Sequence, residues 1–285
     1  MNKPKRIRKT ITNMNVTENN NSMDNQVLDL VKTVPNVIGQ VYQDLAQPGV
    51  QAVGKALGTV FEFSTSFLLP VKLLNEKFKL NFAKRLDEYK AKLEEVPEEK
   101  RCEVHPQIGT PIVEKLSYTT TDEIADLFTT LLANASNVDK VNLAHPSFVN
   151  MIERLSTDEA RIIKYLKSTL DIPYCSFRAI SKDESGGFIT IEDHLTLLPY
   201  CISLNYPQNV NAYLSNLVSL GILVDKAGVF RIDNSKYDSI CAKNNLNGLK
   251  QKLVPTMFKD IEVSKSYYEV TAFGRLFIDA CIKGS

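Results

Sequence analysis

The sequence predicts a mainly α protein, in which an N-terminal region of bundled helices precedes a C-terminal α+β module. Apolar residues recur at helical spacing from residue 27 to residue 170. Two segments within that region have the form of helix capping boxes, and short strand-forming runs occur only after Gly186. With 285 residues and 44% hydrophobic content, the chain can build one large core or two modest ones.

The composition disfavours several classes of protein. Lysine and arginine total 34 and aspartate and glutamate total 33, which argues against a globally basic nucleic-acid binder and against an acidic disordered chain. No run of eighteen uncharged apolar residues occurs, so we expect no ordinary transmembrane span. The five cysteines include no CxxC pair, and the three histidines lack zinc-ligand spacing. These patterns favour a reducing cytosol and predict neither a metal nor a cofactor.

Residues 1–26 are predicted to be a disordered arm. Residues 1–12 carry five basic side chains and no acid, residues 13–26 are rich in asparagine, and neither part has an apolar period. A solvated arm is the favoured interpretation. The alternative is an electrostatic arm for nucleic acid or anionic lipid.

Residues 27–95 are predicted to form the N-terminal helices, including an apolar helix from Val50 to Pro70 and a basic amphipathic helix from Val71 to Glu95. This pair is typical of soluble bundles, which is the favoured interpretation, but also of elements that contact membranes. The candidate face for an anionic membrane surface or a protein partner consists of Val50, Val53, Leu57, Phe61, Leu68, Lys77, Lys79, Lys84 and Arg85.

Residues 96–155 are predicted to be a proline-rich connector followed by short helices. Pro97, Pro106 and Pro111 each disfavour helix in the preceding residue, so residues 96–111 mark the best internal boundary. The segments Thr120–Glu123 and Ser156–Glu159 have the capping-box form. The acids in both segments are interpreted as favourable charges at helix N-termini.

Residues 156–285 are predicted to form a winged-helix-like module. Its pattern is a helix at 209–220, a hairpin of strands at 222–224 and 229–232, a strand at 267–270 and a final helix to 282. Residues 172–185 are expected to form a connection or a short helix. In such modules the helix before the wing often enters the DNA major groove.

Charge argues against DNA binding through residues 183–225. This stretch contains no lysine or arginine, although phosphate neutralisation supplies most non-specific DNA affinity. Its helix offers only side chains that could hydrogen-bond bases, namely Asn209, Asn211, Ser215, Asn216 and Ser219. Packing or partner binding is the favoured use of this helix.

The sequence indicates no enzyme. Cys102 and His105 are three residues apart, but they lie in the connector and no third group that would orient them is evident. Neither a GxxxxGK[ST] phosphate loop nor a GxGxxG fingerprint occurs.

Several longer strings carry a family resemblance. The segments EVPEEKRCEVHPQIGTPIVEKLSYT, DEIADLFTTLLANAS and AHPSFVNMIERLSTDEARII occur in order from residue 95 to residue 163, and YYEVTAFGRLFIDACI lies near the C-terminus. Together with QPGVQAVGKALGTV and LLPVKLLNEK upstream, they resemble the abortive-infection alpha family of bacterial proteins. The resemblance implies phage defence, in which an infected cell stops growing or dies, and it assigns no catalytic residues.

We therefore expect a cytoplasmic defence protein without enzymatic activity, which acts through a protein partner or self-association. Membrane contact through residues 50–93, with a peripheral membrane location, stays open. The alternative is a DNA-associated transcription regulator that uses the winged helix and the basic N-terminal arm.

Overall fold

The computed structural model describes residues 40–44, 55, 69–183, 186–254 and 258–283. Within these residues the protein is mainly α, with an α+β region in its C-terminal half. The predicted arm at residues 1–26 lies outside the described residues. So does the predicted apolar helix from Val50 to residue 68, except for the helical residue Lys55.

Helix α1 (Leu69–Glu94) is the basic amphipathic helix that the sequence predicts. Phe82, Leu86, Tyr89 and Leu93 recur at helical spacing and are buried in the core. The Tyr89 hydroxyl lies 2.7 Å from Ser136 Oγ, so its polar end is satisfied inside the core. The apolar stripe of this helix is therefore confirmed over its last three turns.

Four more helices of the bundle follow α1 within the described residues: α2 (Pro106–Tyr118), α3 (Asp122–Ala135), α4 (Ser147–Glu153) and α5 (Thr157–Thr169). The predicted start of α2 at Pro111 is wrong, because the helix begins five residues earlier. His105 is its N-cap, and the Nδ1 atom of His105 accepts a hydrogen bond of 3.2 Å from the Gln107 N–H. Pro106 occupies the first helical position, where a missing N–H costs nothing.

The two predicted capping boxes have different outcomes. The Ser156–Glu159 box is confirmed, with reciprocal bonds of 2.6 and 3.3 Å between the side chains and backbone N–H groups. At α3 the N-cap is Thr121, and it makes no side-chain cap bond. Glu123, which would return the bond in a capping box, instead accepts two bonds from the Arg161 guanidinium, of 2.6 and 3.0 Å.

The C-terminal half contains an antiparallel sheet with strand order β2-β1-β4-β3. Its strands are β1 (Asp171–Ser181), β2 (Phe188–Thr196), β3 (Leu223–Lys226) and β4 (Phe258–Val270). The accompanying helices are α6 (Leu198–Cys201), α7 (Val210–Ser219), α8 (Ser235–Lys243), α9 (Leu246–Leu253) and α10 (Ala272–Cys281).

This half departs from the predicted pattern in three places. Residues 171–181 form the central strand β1, where a connection or short helix was expected. Residues 229–232 form no strand, and β3 pairs with β4 from Leu223↔Val270 onward. Helices α8 and α9 separate those two strands. The predicted wing is thus wrong, and the described residues give no support to a winged-helix identity.

One large apolar core joins the helices to the sheet. It extends from Val41 and Phe82 through α3 to Ile278 and Ile282. A smaller cluster lies between the other face of the sheet and helices α8 and α9, and it consists of Cys175, Phe177, Ala179, Tyr237, Ile240 and Ile261. The domain boundaries at residues 96 and 156 stay predictions.

Candidate functional site

Only part of the predicted membrane or partner face can be located. Five of its residues lie outside the described part of the chain: Val50, Val53, Leu57, Phe61 and Leu68. Lys77 and Lys79 belong to α1, but their side chains are also outside it. No helix within the described ranges is both long enough and apolar enough to cross a bilayer.

Lys84 and Arg85 occupy different environments, which corrects the predicted outer face. The Lys84 ammonium is half exposed and lies 2.7 Å from Asp122 Oδ1. The Arg85 side chain is only 1% exposed, and it donates to the carbonyls of Thr119 and Thr120 at 3.4 and 3.1 Å. It also pairs with Glu88 and Asp122 at 2.8 Å each. Arg85 therefore ties α1 to the turn between α2 and α3 and presents no charge to a ligand.

The polar side chains of α7, the former candidate recognition helix, bond within the protein. Asn211 Nδ2 donates to the Asp193 carbonyl, and Asn216 Nδ2 donates to the Arg154 carbonyl and to Glu159 Oε1. Ser215 and Ser219 donate to carbonyls of their own helix. These groups are already engaged, so the geometry does not favour base reading by this helix.

Cys102 and His105 have separate local roles. The His105 ring caps α2, whereas the Cys102 thiol points toward the Ala135 carbonyl at 3.7 Å. Burial raises the pKa of the Cys102 thiol, which disfavours the nucleophilic thiolate. Within the described chain, no three His, Cys, Asp or Glu side chains converge to hold a metal ion.

The first residues of β2 form an exposed apolar edge. The Phe188 and Ile189 residues are 54% and 60% exposed, although both belong to a strand. Strand β2 is at one end of the sheet, so among the described residues only β1 pairs with it. We call residues 188–192 the β2 edge. Such an edge has backbone N–H and C=O groups that another strand can pair with.

A polar and aromatic cluster lies where β2 ends, and its members come from all four strands. The His194 backbone has a φ of 51°, in the left-handed region that few residues other than glycine adopt. Its ring stacks on Tyr174 with centroids 4.6 Å apart, and the Tyr268 ring lies 6.0 Å away. The Nδ1 atom is 2.9 Å from Asp193 Oδ1, and Nε2 is 3.9 Å from Asp225 Oδ2.

Hydrogen bonds fix both carboxylates beside this imidazole. The Tyr174 hydroxyl donates to Asp225 Oδ1 at 2.8 Å, and Ser176 Oγ donates to Asp193 Oδ1 at 2.5 Å. Burial opposes ionisation of Asp193, but the Ser176 bond and the neighbouring His194 prevail and lower its pKa. Burial, together with the negative charge of Asp225, raises the pKa of Tyr174 to about 12, so this tyrosine stays neutral.

The cluster can brace the sheet edge, because the imidazole lies between carboxylates on β2 and β3. The Ser176 hydroxyl donates to Asp193 and has no bond to the imidazole, so the serine–histidine contact that activates a nucleophile is not formed. Sequence reasoning missed this cluster because its members are separated along the chain. The one local signal was the adjacent pair Asp193 and His194 after a strand-forming run.

The bundle and the sheet both fall within one family match. The profile of the family described as abortive infection alpha matches residues 75–281, from within α1 to the last residue of α10. The chain belongs to the abortive infection alpha family. This result confirms the resemblance carried by the longer strings. Membership in the abortive infection alpha family indicates a part in abortive-infection phage defence.

Comparison with curated proteins gives no match. Among solved structures, one similar chain is an uncharacterized protein from the hydrocarbon-degrading marine bacterium Alcanivorax borkumensis SK2. It is 12% identical, and the alignment covers 51% of this chain and 96% of that one, with a TM-score of 0.31. A similarity this weak supports no argument about the abortive infection alpha fold or its function.

Proposed function

We propose that this chain acts in phage defence without catalysing a reaction, by binding a protein partner along the β2 edge. Family membership supports the defence role. Phe188 and Ile189 are exposed on a strand that pairs on one side only among the described residues, which supports the binding mode. An extended segment of the partner would pair with the backbone and cover these two side chains, as in other cases of strand addition.

The sequence of β2 favours a basic partner segment. Natural edge strands are usually protected by lysine or proline, and β2 contains neither. The charged side chain of the β2 edge is acidic, namely Glu192. A partner strand with lysine or arginine opposite Glu192 would gain a favourable cross-strand pair.

Phage challenge with matched variants tests this proposal. We expect cells that express the chain to give a lower phage yield than empty-vector cells and to lose the infected cells. We expect Ile189→Lys to return the yield to the vector level, because a charged edge side chain opposes strand addition. Its effect on folding should be within about 0.5 kcal/mol, as for other exposed positions.

Ile232→Lys is the matched control, since Ile232 is 97% exposed and lies outside the sheet. This variant should protect as well as the wild type. If the wild type equals the vector across a broad phage panel, the defence role is wrong for those phages. If Ile189→Lys still protects, the partner binds elsewhere.

Membrane contact through residues 50–93 is the second part of the proposal, and it includes a cytoplasmic, peripherally bound location. The end of α1 packs in the bundle through Phe82, Leu86, Tyr89 and Leu93. Any element that contacts lipid would therefore lie mainly in residues 50–81. Leu80 on α1 is exposed and is available for such a contact.

Replacing Lys77, Lys79 and Lys84 together with glutamine is expected to weaken binding to anionic liposomes by about two powers of ten. Each basic residue near an anionic surface contributes about 1 kcal/mol. Arg85 is retained because it is buried. Liposome co-sedimentation measures the effect, with neutral liposomes as the control. Equal binding by the variant, or no binding by the wild type, would refute membrane contact.

A further inference from the structure

A cavity of about 240 Å³ lies between α1, α3, α5 and the end of α10, and no residue of the β2 edge lines it. Its lining is unusually rich in lysine, with four ammonium groups and two carboxylates. The charged residues that line it are Lys92, Glu95, Lys140, Lys167, Asp279 and Lys283.

Two of the lysines are held in place by the protein itself. The Lys92 ammonium donates to Asp126, Thr129 and Thr130 at 2.6 to 2.9 Å, so its N–H groups are all engaged. Lys283 pairs with Glu95. These two cations therefore contribute mostly charge to the cavity and few free donors.

Three other side chains that line the cavity have N–H groups without a described hydrogen-bond acceptor. Lys167 donates to the carbonyls of Ile282 and Lys283 at 2.6 and 2.8 Å, which uses two of its three N–H groups. The ammonium of Lys140 and the amide NH₂ of Asn137 make no hydrogen bond to any described residue. Lys140, Asn137 and Lys167 all line the cavity and thus have N–H groups left to donate to a ligand.

The charge balance of the described residues favours an anion. Asp126, Glu95 and Asp279 offset three of the four lysines, so among these residues one positive charge is left over. Burial lowers the pKa of Lys167, and the nearby Lys140 lowers it further, against the opposing effect of Asp279. A bound dianion would stabilise both ammonium groups.

We propose that this cavity binds a small phosphate ester that carries hydroxyl groups, such as a sugar phosphate. Lysine binds phosphate as a point charge, and Lys140, Lys167 and Asn137 supply the donors. Asp279 makes no hydrogen bond to a described residue and can accept one from a ligand hydroxyl. The volume is below the 300 to 1,000 Å³ or so of pockets for drug-sized ligands, which disfavours a dinucleotide.

Calorimetric titration of the full chain with ribose 5-phosphate and with inorganic phosphate tests the proposal. We expect ribose 5-phosphate to bind more tightly than inorganic phosphate, and its affinity to fall as salt is raised. Lys140→Gln should weaken ribose 5-phosphate binding about tenfold, the size of one lost charge-assisted bond. Lys140 is exposed and its side chain makes no hydrogen bond to a described residue, so the circular dichroism of the variant should remain that of the wild type.

Lys259→Gln removes the same charge from an exposed position on β4, outside the cavity, and should bind like the wild type. Equal weakening by both variants would show a non-specific charge effect and overturn the site. Equal binding of the two probes would overturn the ester assignment, and absence of millimolar binding would overturn the proposal altogether. None of these outcomes depends on the phage-challenge result.

Discussion

Replacing Asp158 with asparagine is expected to lower the free energy of unfolding by about 3 kcal/mol. The carboxylate is 2% exposed and accepts the backbone N–H groups of Asn205 and Tyr206 at 2.8 and 2.9 Å and the Tyr213 hydroxyl at 3.1 Å. An amide has one oxygen and would turn an NH₂ toward one of these donors, which leaves buried donors unpaired.

The same substitution should also change the pH dependence of stability. Burial opposes ionisation of Asp158, but the three hydrogen bonds and Arg161 outweigh it, so its pKa is lowered in the folded state. Its contribution is complete above the unfolded pKa of about 3.9 and is lost as the pH falls through the lower folded pKa. Urea unfolding of Asp158→Asn should therefore vary less with pH below about 4 than that of the wild type.

Asp139→Asn is the matched control, because Asp139 is half exposed and its carboxylate forms an ion pair with Lys100 at 2.6 Å. Its cost should be at most about 1 kcal/mol. If the two asparagine variants unfold at the same urea concentration, the hydrogen bonds from Asn205, Tyr206 and Tyr213 to Asp158 do not stabilise the protein.

Replacing Gly274 with alanine is expected to cost about 3 kcal/mol or more. A Cβ at this position would lie 2.1 Å from the Ile222 carbonyl oxygen and 2.8 Å from its carbon, which are backbone atoms that no side-chain rotation can move. Helix α10 would have to shift away from the start of β3. That shift would break the bond of 3.0 Å from the Thr271 N–H to the Ile222 carbonyl.

Gly187→Ala makes the same chemical change where no atom lies within 4 Å of the added Cβ, so its unfolding should stay within about 0.5 kcal/mol of the wild type. Thermal and urea denaturation of both variants measure the difference. A Gly274→Ala protein as stable as Gly187→Ala would show that α10 is not seated closely on Ile222.

The bundle helices could be predicted because their apolar residues recur locally, as Phe82, Leu86 and Tyr89 do. Strand β1 is different: Cys175, Ser176 and Phe177 alternate in polarity, but all three are buried, so their polarity does not separate a core face from a solvent face. The reverse error occurs at residues 229–232, which have strand-forming side chains but are exposed.

The candidate sites depend on contacts that sequence spacing does not show. Arg85 follows Lys84, and its charge predicts a place on the exposed face of α1. Its long side chain instead reaches the carbonyls of Thr119 and Thr120. His194 meets Tyr174 and Asp225 only because the register of four strands brings them together. Motif searches detect neither kind of contact, since each needs the fold first.

The packing of α10 has a consequence for the order in which the chain can fold during synthesis. The Asn134 amide on α3 donates to the Ala280 carbonyl at 2.8 Å, and the Phe148 ring on α4 meets the Phe277 ring edge-on at 5.2 Å. Helices α3 and α4 thus complete their packing only with α10, which is synthesised more than 100 residues later. The part of the α3 surface that contacts α10 therefore stays exposed until the segment around Ile282 has left the ribosome, which delays closure of the bundle and leaves an apolar surface open to aggregation in the growing chain.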